Sequence, residues 1–199
     1  MFEKLNNLRM KNKLFEAIHE RDVKKVEELL KKGVNPDSLD ELRETALART
    51  ISENVIGAYK RENIYDVYVD VIPTSLTFEQ KQIMSLLLEY GADPNFMISR
   101  SLEVCYSKSN KIKAKREFYN EEAQKKYRGT FLNTLIEIGD EDMILKALEH
   151  GADINYGKGV ESVINLLNKG VYSERLIKKI LEKVDVINEI DALGDTLLH

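Results

Sequence analysis

Three stretches of this chain are variations on one pattern, and that constrains its fold more than any other feature. Residues 24–37 read KKVEELLKKGVNPD, residues 82–95 read QIMSLLLEYGADPN and residues 142–155 read DMILKALEHGADIN. Each is an apolar stretch at helical spacing that runs into a glycine. Gly33 to Gly91 is 58 residues, Gly91 to Gly151 is 60, and Asn155 to Asn188 is 33. Read as 33 with an extra 25, 33 with an extra 27 and 33 alone, the spacings share one period interrupted by two insertions. A chain with such a period is predicted to stack like units in a row, because one short unit cannot bury its own apolar stripe.

A second signature marks the other side of each unit. Gly129-Thr130-Phe131-Leu132-Asn133 and Gly194-Asp195-Thr196-Leu197-Leu198-His199 both look like a helix-opening Thr-Pro-Leu-His element, and Glu44-Thr45-Ala46-Leu47 is a degenerate copy. Thr130 to Thr196 is 66 residues, twice the period. With these residues the chain resembles the ankyrin repeat family, whose unit is a turn and two antiparallel helices over roughly 33 residues. The resemblance covers most of the chain outside the two insertions. It implies an all-α solenoid of about four helix-turn-helix units forming a single domain over 1–199. The units fall at about 12–37, 45–95 with an insert over 52–77, 130–155 preceded by an insert over 97–128, and 163–188. A fifth unit opens at 194–199, so either a longer array or an abrupt terminus is expected at His199.

The repeated residues have physical work to do. Gly33, Gly91 and Gly151 fall just past a helix, where the chain turns through a left-handed conformation that costs a residue with a Cβ about 1–2 kcal/mol. Val184 takes that place in the fourth unit, so a distorted helix end is expected there. Thr45, Thr130 and Thr196 stand where a hydroxyl caps the first helix of a unit; Val163 has no hydroxyl to offer. Val26, Leu29 and Leu30, then Ile83, Leu86, Leu87 and Leu88, then Ile144, Ala147 and Leu148, then Ile177, Ile180 and Leu181, follow helical spacing and are predicted core. Leu14, Ala17 and Ile18, with the segment before them, should form the first helix and an N-terminal cap.

The inserts are where specificity would reside. In the first, Leu47, Ile51, Val55 and Tyr59 keep helical spacing, which predicts a first helix longer than usual. Tyr65 to Ile72 is rich in β-branched and aromatic residues and suits an extended segment. Thr77-Phe78-Glu79-Gln80 reads as a capping box that restarts the helix. Tyr65 and Tyr68 either roof the core of the second unit or anchor a partner, since aromatics concentrate binding energy. In the second insert, residues 106–128 hold Lys108, Lys111, Lys113, Lys115, Arg116, Lys125, Lys126 and Arg128 against three glutamates, a net +5 within a chain of −4. Tyr106, Phe118, Tyr119 and Tyr127 interleave with these cations, a mixture that grips an acidic partner or stacks on bases. The alternative is a solvated helix face, for which Lys115 with Tyr119 and Glu121 with Lys125 have the right spacing. The remaining chain is at −9, so nucleic acid is not the expected ligand.

Composition narrows the rest. The chain is 43% hydrophobic and 32% charged with three prolines, which suits a helix-rich globular protein rather than a disordered tail. No apolar run approaches a membrane span, and the start has no signal-peptide core. Cys105 is the single cysteine, so a reducing, cytoplasmic setting without disulfides is expected. His19, His150 and His199 lie outside metal-ligand spacing of one another and of Cys105, and Gly157-Lys158-Gly159 is too short for a phosphate loop. No metal, cofactor or catalytic residue is therefore expected.

The resemblance implies a monomeric, non-catalytic module that binds a protein partner through its concave face, near Asp37 to Arg43, Phe96 to Arg100 and Tyr156 to Gly159, or through the inserts. Two alternatives stay open. The chain could be the recognition arm of a larger bacterial effector-type protein delivered into a host cell, or an inhibitor or immunity-type protein that occludes one toxin or enzyme.

Overall fold

The computed structural model describes residues 2–40, 44–51, 65–68, 75–96, 103–106, 130–155, 163–164, 166–167 and 173–184. They are predominantly helical. Helix α1 (Phe2–His19) turns sharply into α2 (Val23–Lys31); α3 (Ala46–Ile51) is followed by strand β1 (Tyr65–Tyr68) and helix α4 (Phe78–Glu89); strand β2 (Glu103–Tyr106) precedes α5 (Phe131–Ile138), α6 (Glu141–Glu149) and α7 (Glu174–Leu181). Residues 163–164 and 166–167 are also helical. Helices α1 with α2, α3 with α4, and α5 with α6 pack as pairs, and α2, α4, α6 and α7 follow one another in a row, each against the next.

The apolar stripes read from the sequence fill one continuous core. Val26, Leu29 and Leu30 of α2, Ile83, Leu87 and Leu88 of α4, and Ile144, Ala147 and Leu148 of α6 are all buried; Leu86, expected with them, is only half-buried against this core, and Met84 is buried in addition. Leu14, Ala17 and Ile18 of α1 and Leu132, Leu135 and Ile136 of α5 close it from the other layer. In α7 the stripe is thinner: Ile180 is buried as expected and Leu176 joins it, while Ile177 is half-buried and Leu181 is 42% exposed, both having been expected in the core.

Side chains at the helix ends explain why the chain breaks where it does. Thr77 and Gln80 form a reciprocal capping box on α4, and Thr130 and Asn133 form another on α5. The Thr45 hydroxyl accepts from the Ala48 amide at 3.2 Å. Asp22, Asp140 and Ser173 cap α2, α6 and α7 in the same way. Thr196 lies outside the described residues.

At the other ends, Gly33, Gly91 and Gly151 adopt φ of 83°, 88° and 89°. The following amides of Val34, Ala92 and Ala152 reach back five residues to Leu29, Leu87 and Ala147, a Schellman closure that satisfies the otherwise orphaned carbonyls. Helix α7 ends differently, as a valine at position 184 requires. Lys183, the residue after its cap, is not left-handed as the glycines are, and Val184 donates only four residues back, to Ile180.

Candidate functional site

The turns after α2, α4 and α6 are tied to one another by side chains. Within each turn an Asx side chain folds onto the backbone two residues on: Asn35 accepts from the Asp37 amide at 3.0 Å, Asp93 from Asn95 at 2.8 Å and Asp153 from Asn155 at 2.9 Å. The next residue of the pattern then reaches across to the following unit. Asp37 Oδ1 accepts from the Asp93 amide at 2.8 Å, and Asn95 Oδ1 accepts from the Asp153 amide at 2.7 Å. Asn95 also donates through Nδ2 to the Gly151 carbonyl at 3.0 Å, and Asn155 donates to the Lys183 carbonyl at 2.9 Å. These residues were legible in the sequence only as spacing markers; their role is to lock neighbouring turns in register. Asp37 lies in the stretch expected to contact a partner, and its carboxylate is committed to this ladder.

A second cluster braces the turn before α3. Leu39 and Thr45 form an isolated antiparallel bridge, and the Asp40 carboxylate accepts from the Glu44 amide at 2.9 Å. Arg49 reaches back from α3 to Asp40 at 2.9 Å and to Glu44 at 3.6 Å, with both carboxylates largely buried. Lys11 of α1 donates to the Leu39 carbonyl at 2.8 Å, so the first helix holds the same turn from the other side.

The first insert leaves and returns through a clamp. Buried Gln80 accepts from the Thr77 amide with Oε1 at 2.9 Å and donates with Nε2 to the Thr50 carbonyl at 2.8 Å. One side chain thus starts α4, satisfies a terminal carbonyl of α3 and pins the two ends of the insert together.

The two inserts meet. Strand β1 belongs to the first and β2 to the second, and they pair antiparallel with Tyr65 opposite Tyr106, Asp66 opposite Cys105, Val67 opposite Val104 and Tyr68 opposite Glu103. The extended reading of Tyr65 to Ile72 is met at Tyr65–Tyr68; residues 69–72 lie outside the described residues. Strand β2 was not expected, although Val104, Cys105 and Tyr106 carry the same bias toward strand-forming side chains. The expected helical continuation through Val55 and Tyr59 falls outside the described residues. So do Lys108, Lys111, Lys113, Lys115, Arg116, Tyr119, Lys125, Lys126 and Arg128, and positions 41–43, 97–100 and 156–159.

Charges on the second helices tie unit to unit: Lys81 pairs with Asp140 at 2.5 Å, Lys146 with Glu89 at 2.7 Å, and Ser173 hydrogen-bonds Glu141. His19 and His150 are exposed at helix ends. Among the described residues no three His, Cys, Asp or Glu side chains are grouped to hold a metal ion, and no helix is long and apolar enough to cross a membrane. Neither a scan of protein-family models nor a search of curated proteins finds a match to this chain.

Proposed function

We propose that this chain is a non-catalytic protein-binding module built as an ankyrin-type solenoid, its partner recognised through the paired inserts and the face beside the turns. The observation that supports this most directly is the ladder in which Asp37, Asn95 and Asn155 each reach from one turn to the next unit. A ladder of that kind stacks identical units and leaves the side chains between them free to vary, which is the arrangement of repeat proteins that recognise other proteins. The framework residues are spent on stacking. Specificity therefore falls to the ribbon of Tyr65–Tyr68 and Glu103–Tyr106 and to the basic, tyrosine-bearing stretch that follows it. Joined by β1 and β2, the inserts act as one arm rather than two loops. The partner is a protein with an acidic surface, met by a monomer in a reducing, cytoplasmic setting.

The test is affinity capture followed by quantitative mass spectrometry, comparing the intact chain with a variant carrying Lys111, Lys113, Lys115 and Arg116 changed to Glu. Circular dichroism confirms that both are folded. One protein captured by the intact chain and lost by the variant is the expected result. Equal capture by both assigns recognition to the turn face, and no protein enriched by either overturns the reading.

A further inference from the structure

Helix α1 has two faces, and the body of the molecule uses one of them. Leu14, Ala17 and Ile18 are buried, and Met10 and Phe15 pack against the same core. Nearer the N-terminus, residues 5–9 are all exposed, with Leu5 at 59% and Leu8 at 51%. A helix ordinarily earns its place by burying a stripe, and residues 5–9 bury none.

The exposed leucines follow a pattern. Leu5, Leu8 and Asn12 are separated by three and four residues, the roughly 3.5-residue repeat of a seam between two helices, and Phe15, three further on, marks where that row meets the core. Leu5, Leu8 and Asn12 are exposed and Phe15 is half-buried. A single asparagine in such a seam fixes register at some cost in stability. The positions flanking a seam select the partner, and here they are Arg9 on one side and Lys11 on the other. Residues 5–13 contain Arg9, Lys11 and Lys13 and no carboxylate, a local +3 in a chain of net −4. Lys11 lies on the side nearer the body, where its ammonium donates to the Leu39 carbonyl at 2.8 Å.

Width and charge decide between occupants. A helix that lies on a bilayer needs a broad apolar face, whereas this stripe is a single row. A second copy of the chain would set Arg9 and Lys11 against their own kind, and like charges across a seam repel. We propose that the outward face of α1 docks an amphipathic helix of a partner protein, one with an apolar seam and carboxylates on both flanks. This surface is separate from the paired inserts, so the capture experiment above and the one below succeed or fail independently.

The probe is a synthetic helical peptide of about three heptads with Leu in its seam, one Asn, and Glu at both flanking positions; its twin carries Lys at the flanks. Fluorescence anisotropy with the full chain is expected to show the Glu peptide binding at least about tenfold more tightly than the Lys peptide, with the difference shrinking as salt is added. Leu5→Glu with Leu8→Glu abolishes binding while the circular dichroism spectrum is unchanged, since both side chains are exposed. Arg9→Glu, at the flank away from the Leu39 contact, weakens the Glu peptide and narrows its advantage over the Lys peptide. The proposal fails if both peptides bind alike or neither binds, or if the double leucine variant binds as the parent does. It fails equally if sedimentation shows the chain pairing with itself through Leu5 and Leu8, or if phosphatidylserine vesicles retain the chain and the Glu peptide does not.

Discussion

The first and third helix pairs are one device built twice, and two of the positions at which they differ bear on how their turns are held. The same offset separates Asp22 from Asp140, Gly33 from Gly151, Arg21 from Gly139 and Asp37 from Asn155. Asp22 and Asp140 cap α2 and α6 alike, and Gly33 and Gly151 turn alike. Where α1 meets α2, however, Arg21 occupies a left-handed backbone at φ 56°; where α5 meets α6, Gly139 does so at φ 82°. At the tip of the turn, Asp37 can only accept from the next unit, whereas Asn155 donates to it. The difference teaches that the stack dictates backbone shape first and residue type second. An arginine is held in a conformation that favours glycine because the helices on either side of it are locked by their cores.

Exchanging the turn residues gives the largest effect. A Cβ at Gly139 would meet nothing within 4 Å, so Gly139→Arg is opposed by backbone conformation alone and is expected to destabilise by about 1–2 kcal/mol. Arg21→Gly should act in the opposite sense and by less, about 0.5–1 kcal/mol, because glycine gains in the turn and loses through its freer unfolded chain. Urea unfolding of the two variants checks both. Two changes of the same sign would show that the turns are not equivalent.

Exchanging the tips is the next test. Asn95→Asp keeps the acceptor for the Asp153 amide and removes the donor to the Gly151 carbonyl, which makes the second unit resemble the first. The expected loss is about 1 kcal/mol, that of one net hydrogen bond. The reciprocal Asp37→Asn provides a donor toward the next turn and is expected to stabilise by a smaller amount, about 0.5 kcal/mol. Amide exchange at Asp93 and Asp153 reports the same comparison locally: protection at Asp153 persists in Asn95→Asp and is lost in Asn95→Ala. If protection at Asp153 survives Asn95→Ala as well, the ladder is not what holds the turns together.

Much of the body was legible in the sequence because its determinants are local. Gly33, Gly91, Gly151, Thr45, Thr130 and the Thr77–Gln80 box announce helix ends through residues within one turn of where they act. Asp22, Asp140 and Ser173 obey the same rule and were readable by it. The ladder was visible only as a repeated Asn or Asp, since its acceptors and donors lie 28 to 58 residues away. Pairing of β1 with β2 was hidden for the same reason, because two short strands in different inserts say nothing of their register until they meet. On α1 two stripes share one helix, and the core stripe of Leu14, Ala17 and Ile18 masks the second, formed by Leu5, Leu8 and Asn12.

The smallest difference between the pairs is electrostatic. On α6, Lys146 bonds to Glu89 of the neighbouring unit, whereas on α2 the charges pair within the helix: Lys25 with Glu28 at 3.1 Å and Lys31 with Glu27 at 2.6 Å. The hydrogen bond from Lys25, and then its charge, hold the Glu28 carboxyl below its ordinary value, while the bond to Glu27 raises the Lys31 ammonium. A carboxylate with a depressed value in the folded chain stabilises above the pH at which the unfolded group ionises. That contribution fades as pH falls through the folded value. Lys25→Ala should therefore move the Glu28 side-chain titration, followed by carbon-detected NMR, upward toward the usual glutamate range while leaving Lys31 where it was. Because both side chains of the pair lie at the surface, the overall stability of the chain should scarcely change. A Glu28 titration that stays put in Lys25→Ala would mean that the Lys25–Glu28 pair seen on α2 does not persist in solution.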